Sequence, residues 1–278
     1  MTNRHLIAGA AALAVLGLGF LAWNALAPPD SDAPVFVPVP EQAVPEPKVE
    51  DAPSPVDDES DCVPVDAPEL PALDDSDDFV RSRMDDCLAA LVADDGPADM
   101  LRRTVAMIEN AARGELSRGR LALKAPAGKF SVTTDGGRHY IDDATFRRYD
   151  PVVDALTCVP PERLASLVRL LRPLLAQALR DLGLPEADID AVVDDALKAV
   201  LAVPVPSLPI EVVETDKGYA YAHVKLEAAD PLSKQLVRLG PDNLVRLQGH
   251  VQQLRSLLRG PDPACVDLAS RPEAVVTE

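Results

Sequence analysis

Histidine and cysteine are scarce in this chain of 278 residues, with four of each, and neither is spaced for chemistry. His5, His139, His223 and His250 form no HxxxH or HExxH pair. Cys62, Cys87, Cys158 and Cys265 form no CxxC pair, and no His lies at ligand spacing from any of them. Zinc sites draw ligands from such close pairs, so no metal site is expected. No serine occupies a G-x-S-x-G turn, and no glycine-rich loop is present to cradle a phosphate. Adjacent acids such as Asp142-Asp143 and Asp194-Asp195 point apart on a helix and read as helix starts or solvated faces. His139, beside a turn, is expected to be solvated, and His223 to be a hydrogen-bonded strand residue. No catalytic, cofactor-binding or metal-ligating residue is nominated and no cofactor is expected; the reading leans away from an enzyme.

Positive charge is short too. The net charge is −18, and it is unevenly spread. Residues 28–95 hold 20 acids against Lys48, Arg81 and Arg83, whereas residues 96–278 hold 25 acids and 23 bases. Nucleic-acid binders concentrate Lys and Arg on one face, so nucleic acid is not an expected partner.

One long stretch lacks charge altogether. Residues 6–27, bounded by Leu6 and Ala27, contain no Asp, Glu, Lys or Arg. At about 1.5 Å per residue a helix of this length crosses the roughly 30 Å hydrocarbon core of a bilayer. A secretory h-region is usually shorter, about 7 to 15 residues. Ala25-Leu26-Ala27 resembles a signal-peptidase site, but cleavage there would place Pro28 just after the scissile bond, where its fixed φ fits badly. An uncleaved anchor is therefore expected. Arg4 and His5 precede the run and no Lys or Arg follows it until Lys48. The positive-inside rule then puts residues 1–5 in the cytoplasm and the bulk of the chain in the periplasm, tethered to the inner membrane. Energy transducers share this plan but need an ionisable group within the span; only Asn24 is polar there.

Residues 28–73 mix prolines and acids with few large apolar side chains. Such a segment buries too little surface to offset its ordering entropy, and its prolines favour extended backbone. It reads as a disordered spacer. The fold class expected is mainly α: a transmembrane helix at 6–27, this linker, a compact helical domain at 74–260 and a tail at 261–278. One or two β-hairpins are expected within the domain. Helical periodicity spans "DDSDDFVRSRMDDCLAALVA", with Val80, Met84, Cys87, Leu88 and Leu91 on one face. The segment "PADMLRRTVAMIENAARG" starts with Pro97 in its first turn and stops at Gly114. "PERLASLVRLLRPLLAQALRDLG" carries Leu164, Leu167, Leu171, Leu174, Leu175, Ala178 and Leu182 on one stripe, with a kink expected at Pro173. "DIDAVVDDALKAVLA" and "PDNLVRLQGHVQQLRSLLRG" continue the pattern. Hairpins are expected in "KFSVTTDGGRHYI" and in "IEVVETDKGYAYAHV", the latter turning at Lys217-Gly218. Four cysteines allow three pairings; Cys87 with Cys158 and Cys62 with Cys265 is the pairing considered, beside free buried thiols.

Several stretches resemble a bacterial family, domain of unknown function 3014. They are "LPALDDSDDFVRSRM", "LRRTVAMIENAARG", "GKFSV", "FRRYDPVV", "LRPLLAQALRDLGLP", "VPVPSLPIEVV" and "LSKQLVRLGPDN", in this order. The resemblance implies an envelope protein with one N-terminal membrane helix and a proline-rich spacer. It implies no catalytic residues. Where such sequences carry aromatics in the long helix, this one has Leu and Val.

One segment runs against the acidic background. Residues 102–148 hold ten bases and five acids, including Arg102, Arg103, Arg113, Arg147 and Arg148. This is a candidate surface for an anionic partner, either an envelope protein or an anionic envelope polymer. The alternative is that these arginines neutralise the protein's own acids or solvate the domain. The function expected is a membrane-tethered, non-enzymatic interaction or scaffold protein of the cell envelope. The competing reading is an envelope enzyme or anionic-ligand-binding domain built around Arg113 and Arg148; convergence of Glu109, Asn110, Arg113 and Arg148 on one concave site would favour it.

Overall fold

Apolar spacing of three and four residues converts into helix wherever one stripe can be buried, and four such stripes build the core. The computed structural model describes residues 68–89, 98–116 and 126–261. The run at 6–27, nearly all of the linker, the tail beyond Pro261, Cys62 and Cys265 lie outside the described residues. Among the described residues no helix is long and apolar enough to cross a membrane.

A 3-10 turn, Leu73–Asp75, leads into α1 (Ser76–Arg81) and α2 (Asp86–Ala89), followed by α3 (Met100–Ala112). Strands β1 (Val132–Asp135) and β2 (Arg138–Ile141) precede α4 (Asp143–Arg147), α5 (Asp150–Thr157), α6 (Pro161–Asp181) and α7 (Ile189–Leu201). Strands β3 (Glu211–Thr215) and β4 (Gly218–Tyr221) precede α8 (Val224–Glu227), α9 (Pro231–Val237) and α10 (Pro241–Arg259). Helix α3 packs on α6 and α7, and α10 packs on α5, α6 and α7. Leu101, Leu156, Leu164, Leu171, Leu179 and Leu197 are fully buried where these helices meet.

Helix α6 buries the expected stripe from Leu164 to Ala178. Leu182 departs from it: the helix ends at Asp181, Gly183 turns left-handed at φ 87°, and Leu182 is exposed. Pro173 lies inside the helix and is exposed, so the ring and its missing amide sit on the solvent side.

The first expected helix is instead two short ones. Ser82 Oγ donates to the Phe79 carbonyl at 2.8 Å, and the next two amides bond three residues back, so the turn tightens and stops. The chain restarts at Asp85, whose carboxylate meets Arg163 at 2.9 Å. Cys87 in α2 is joined to Cys158 by a disulfide with a Cα–Cα distance of 6.6 Å. The start of α3 is also set from a distance. Asp99 is left-handed at φ 59°, and its amide and that of Met100 donate to Asp77 at 2.9 and 2.8 Å. Asp77 thus caps α3 from α1, and the helix begins later than Pro97.

Both hairpins form, and they join. The sheet has the order β1-β2-β3-β4, antiparallel throughout, with His139 opposite Val212 and Tyr140 opposite Glu211. Gly136 and Gly137 take φ 53° and 79°, the double left-handed geometry of a two-residue hairpin. In the second hairpin Thr215 pairs with Gly218, which places the turn at Asp216-Lys217, one residue earlier than expected. Ile141, Val212 and Tyr221 are the buried members of the sheet. His139 lies in β2, half-buried with Nδ1 at 3.0 Å from Thr134 Oγ1, and is not a loop residue. His223 leaves the strand and stands exposed before α8.

Candidate functional site

Two of the quoted stretches, "FRRYD" at 146–150 and "RLGPDN" at 238–243, lie far apart in sequence and meet in space. The first joins α4 to α5 and the second joins α9 to α10. Gly240 takes φ 82°, and a Cβ there would stand 2.7 Å from Phe146 Cγ. Glycine lets the two segments touch. Asn243, buried in the first turn of α10, donates from Nδ2 to Asp150 Oδ1 at 2.7 Å and to the Leu239 carbonyl at 3.2 Å. Arg246 bonds Asp154 at 2.5 Å.

A cleft of about 380 Å³ opens on one side of this junction. Its charged lining is Asp143, Arg147, Asp150, Asp242 and Arg246, beside Phe146, Leu208 and Leu239. No Ser, Cys or His lines it, so the polar groups it offers are carboxylates, guanidinium groups and the Asn243 amide, without a hydroxyl, thiol or imidazole. The N-terminus of α10 points here, and Asp242 in its first turn already complements the helix dipole.

On the other side the same segments enclose a polar cluster. Arg148 is 8% exposed, and its Nε, Nη1 and Nη2 have no hydrogen-bond partner. Its guanidinium carbon lies 5.4 Å from the centre of the Tyr149 ring. Tyr149 Oη accepts from Gln235 Nε2 at 3.4 Å. Arg238 lies over the Tyr221 ring at 5.8 Å, and Tyr221 Oη donates to the Lys234 carbonyl at 2.8 Å. Glu227 is spoken for: it accepts from the Tyr221 amide at 2.9 Å and from Lys234 Nζ at 2.8 Å. Burial pushes the Tyr149 phenol up, while the Arg148 and Arg238 charges pull it down. Burial likewise pushes Tyr221 up to about 12, against the pull of Arg238. Both phenols are therefore neutral donors at physiological pH. A buried ion without hydrogen-bond partners costs on the order of several kcal/mol, and among the described residues Arg148 has all three side-chain nitrogens in that state.

The five arginines of the candidate surface occupy separate settings. Arg102 is held by Asp74 at 2.6 Å and by Asp181 and Asp99 at 3.0 Å, and these hydrogen bonds raise its pKa, Asp74 foremost. Arg103 Nε donates to the Ala98 carbonyl at 2.8 Å. Arg113 pairs with Glu109 and donates to Asn110 Oδ1 at 2.8 Å. Arg147 is exposed in the cleft, and Arg148 points inward. Glu109, Asn110 and Arg113 are thus brought together along α3, as partners of one another, while Arg148 keeps company with Tyr149. Arg118, Arg120 and Lys124 lie outside the described residues. Sequence reasoning missed Tyr221, Gln235, Arg238 and Asn243. Gln235 left a signal, a polar residue inside the apolar stripe of Leu232, Leu236 and Val237, all buried.

Among the described residues no three His, Cys, Asp or Glu side chains are grouped to hold a metal. No curated protein and no solved structure matches this chain. A family model described as "Protein of unknown function (DUF3014)" matches residues 100–255, more than half of the chain, including both hairpins and the junction. The chain belongs to the DUF3014 family.

Proposed function

We propose that this protein is anchored in the inner membrane of a bacterial envelope by residues 6–27 and holds its folded domain in the periplasm as a non-enzymatic interaction or scaffold domain. The observation that carries the reading is the uncharged 22-residue run followed at once by a proline- and acid-rich segment. A chain of this composition extends at about 3.1 Å per residue and stands a domain off from the bilayer. The cleft's lining of carboxylates and guanidinium groups supports ionic binding of a partner. The test is fractionation of cells expressing the full chain, with intact mass. A full-length species released only by detergent is expected; a mature species beginning at Pro28 and washing free with carbonate overturns the anchor.

A second reading, an anionic-ligand-binding domain, is favoured by one observation, the buried and unpartnered guanidinium of Arg148. Arg113 adds little to it, being paired with Glu109.

A further inference from the structure

We propose that Arg148 and Tyr149 bind the carboxylate of a small organic acid, inside the cluster closed by Tyr221, Gln235 and Arg238. This takes the second reading above as its basis and names the ligand class; it holds whether or not the chain is tethered to a membrane.

The charge count points to an anion. Among the described residues Glu227 answers Lys234 and Arg238, its two oxygens already serve Lys234 and the Tyr221 amide, and Arg148 hydrogen-bonds to no carboxylate. The donor inventory points the same way. Arg148 carries five N–H groups in a planar fork, none of them engaged. Tyr149 accepts from Gln235, and its own O–H donates to no described residue. Three unengaged nitrogens on a side chain more than nine-tenths buried call for an acceptor of negative charge.

The ligand's shape follows from the flat groups around it. The Arg148 guanidinium lies against the Tyr149 ring, and the Arg238 guanidinium lies against the Tyr221 ring. A planar carboxylate accepts two parallel N–H bonds from such a fork and lies in the plane of the guanidinium; a tetrahedral oxyanion can take the same two bonds but carries further oxygens out of that plane, which the adjoining rings crowd. Arg238 is the half-exposed member of the cluster, so solvent reaches the site from its side. The Arg148 nitrogens are covered, so binding would draw the Arg238 side chain off the Tyr221 ring.

The test uses the full chain in detergent micelles at fixed ionic strength. Thermal unfolding and saturation-transfer NMR are followed as sodium acetate replaces sodium chloride, with sodium sulfate and an acidic hexapeptide as parallel arms. Acetate is expected to raise the unfolding temperature and to receive saturation from the protein. R148M should abolish both effects. R148K and Y149F should weaken acetate about 10- to 100-fold, the value of a charge-assisted bond or fork. Hexapeptide binding tighter than acetate would locate the same carboxylate chemistry on a polypeptide; acetate binding tighter than hexapeptide locates it in a free acid. No acetate response in the wild-type chain, a response to sulfate alone, or equal acetate binding by wild type and R148M overturns the assignment. If R148M does not fold, R148K and Y149F decide it: wild-type affinity in both overturns the proposal.

Discussion

Gly240 stands so close to Phe146 that a single methyl group would collide with the ring. The ideal Cβ lies 2.7 Å from Phe146 Cγ and 2.8 Å from its Cβ, at a backbone φ of 82°. G240A therefore carries two penalties, left-handed strain and overpacking, together about 2–4 kcal/mol. Urea unfolding of G240A should show that loss. G136A is the control: its left-handed φ of 53° imposes strain, but nothing lies within 4 Å of the added methyl, so its loss should stay near 1 kcal/mol.

Asn243 ties the two halves of the junction together through Asp150. N243A leaves the Asp150 carboxylate and the Leu239 carbonyl without their shared donor, at a cost of about 1–3 kcal/mol. The denaturation midpoint should fall accordingly with an unchanged slope, since the amount of surface exposed on unfolding does not change.

Asp194 sets an acid limit on stability. Arg255 donates to it at 2.7 Å and Lys198 approaches to 3.0 Å, and these hydrogen bonds outweigh desolvation to bring its pKa from 3.8 to about 2. Because the folded value is depressed, the contribution is present above the unfolded pKa and is lost as the pH falls from about 4 through about 2. Melting temperatures measured across that window should fall less steeply for D194N than for the wild-type chain.

Tyr221 sets the alkaline counterpart. Burial raises its pKa to about 12, so its neutral form contributes stability below the ordinary value of 10.0, and that contribution is lost as the pH rises between the two. In an ultraviolet titration of phenolate absorbance the highest-pH phase should be missing from Y221F.

The Cys87–Cys158 bond closes a loop with a sequence separation of 71 residues. Replacing both cysteines with serine should cost about 2–4 kcal/mol through the freer unfolded chain. Dithiothreitol should lower the wild-type melting temperature by a similar increment and leave the double variant unmoved.

Much of the fold is legible because helix is a local property. The stripes of α6, α7 and α10 recur every three or four residues, and Gly136-Gly137 prescribes its own turn. What failed to read was non-local. Nothing near Met100 shows that Asp77, on another helix, will cap α3. Nor does either hairpin reveal that β2 will pair with β3 from seventy residues away. The arginine-rich segment reads as one surface because charge along a sequence carries no direction, and only packing turned Arg147 to the cleft and Arg148 inward.

The amino-acid order alone determined the helical class, the Gly136-Gly137 turn and the uncharged run at 6–27, because backbone propensity and side-chain period act within a few residues. Tertiary structure alone decided which charges are neutralised and which is left over. Arg102 meets three carboxylates from three places in the chain, while Arg148 meets a tyrosine and none. A Coulombic partner is chosen by distance in space, and that distance exists only once the helices have packed.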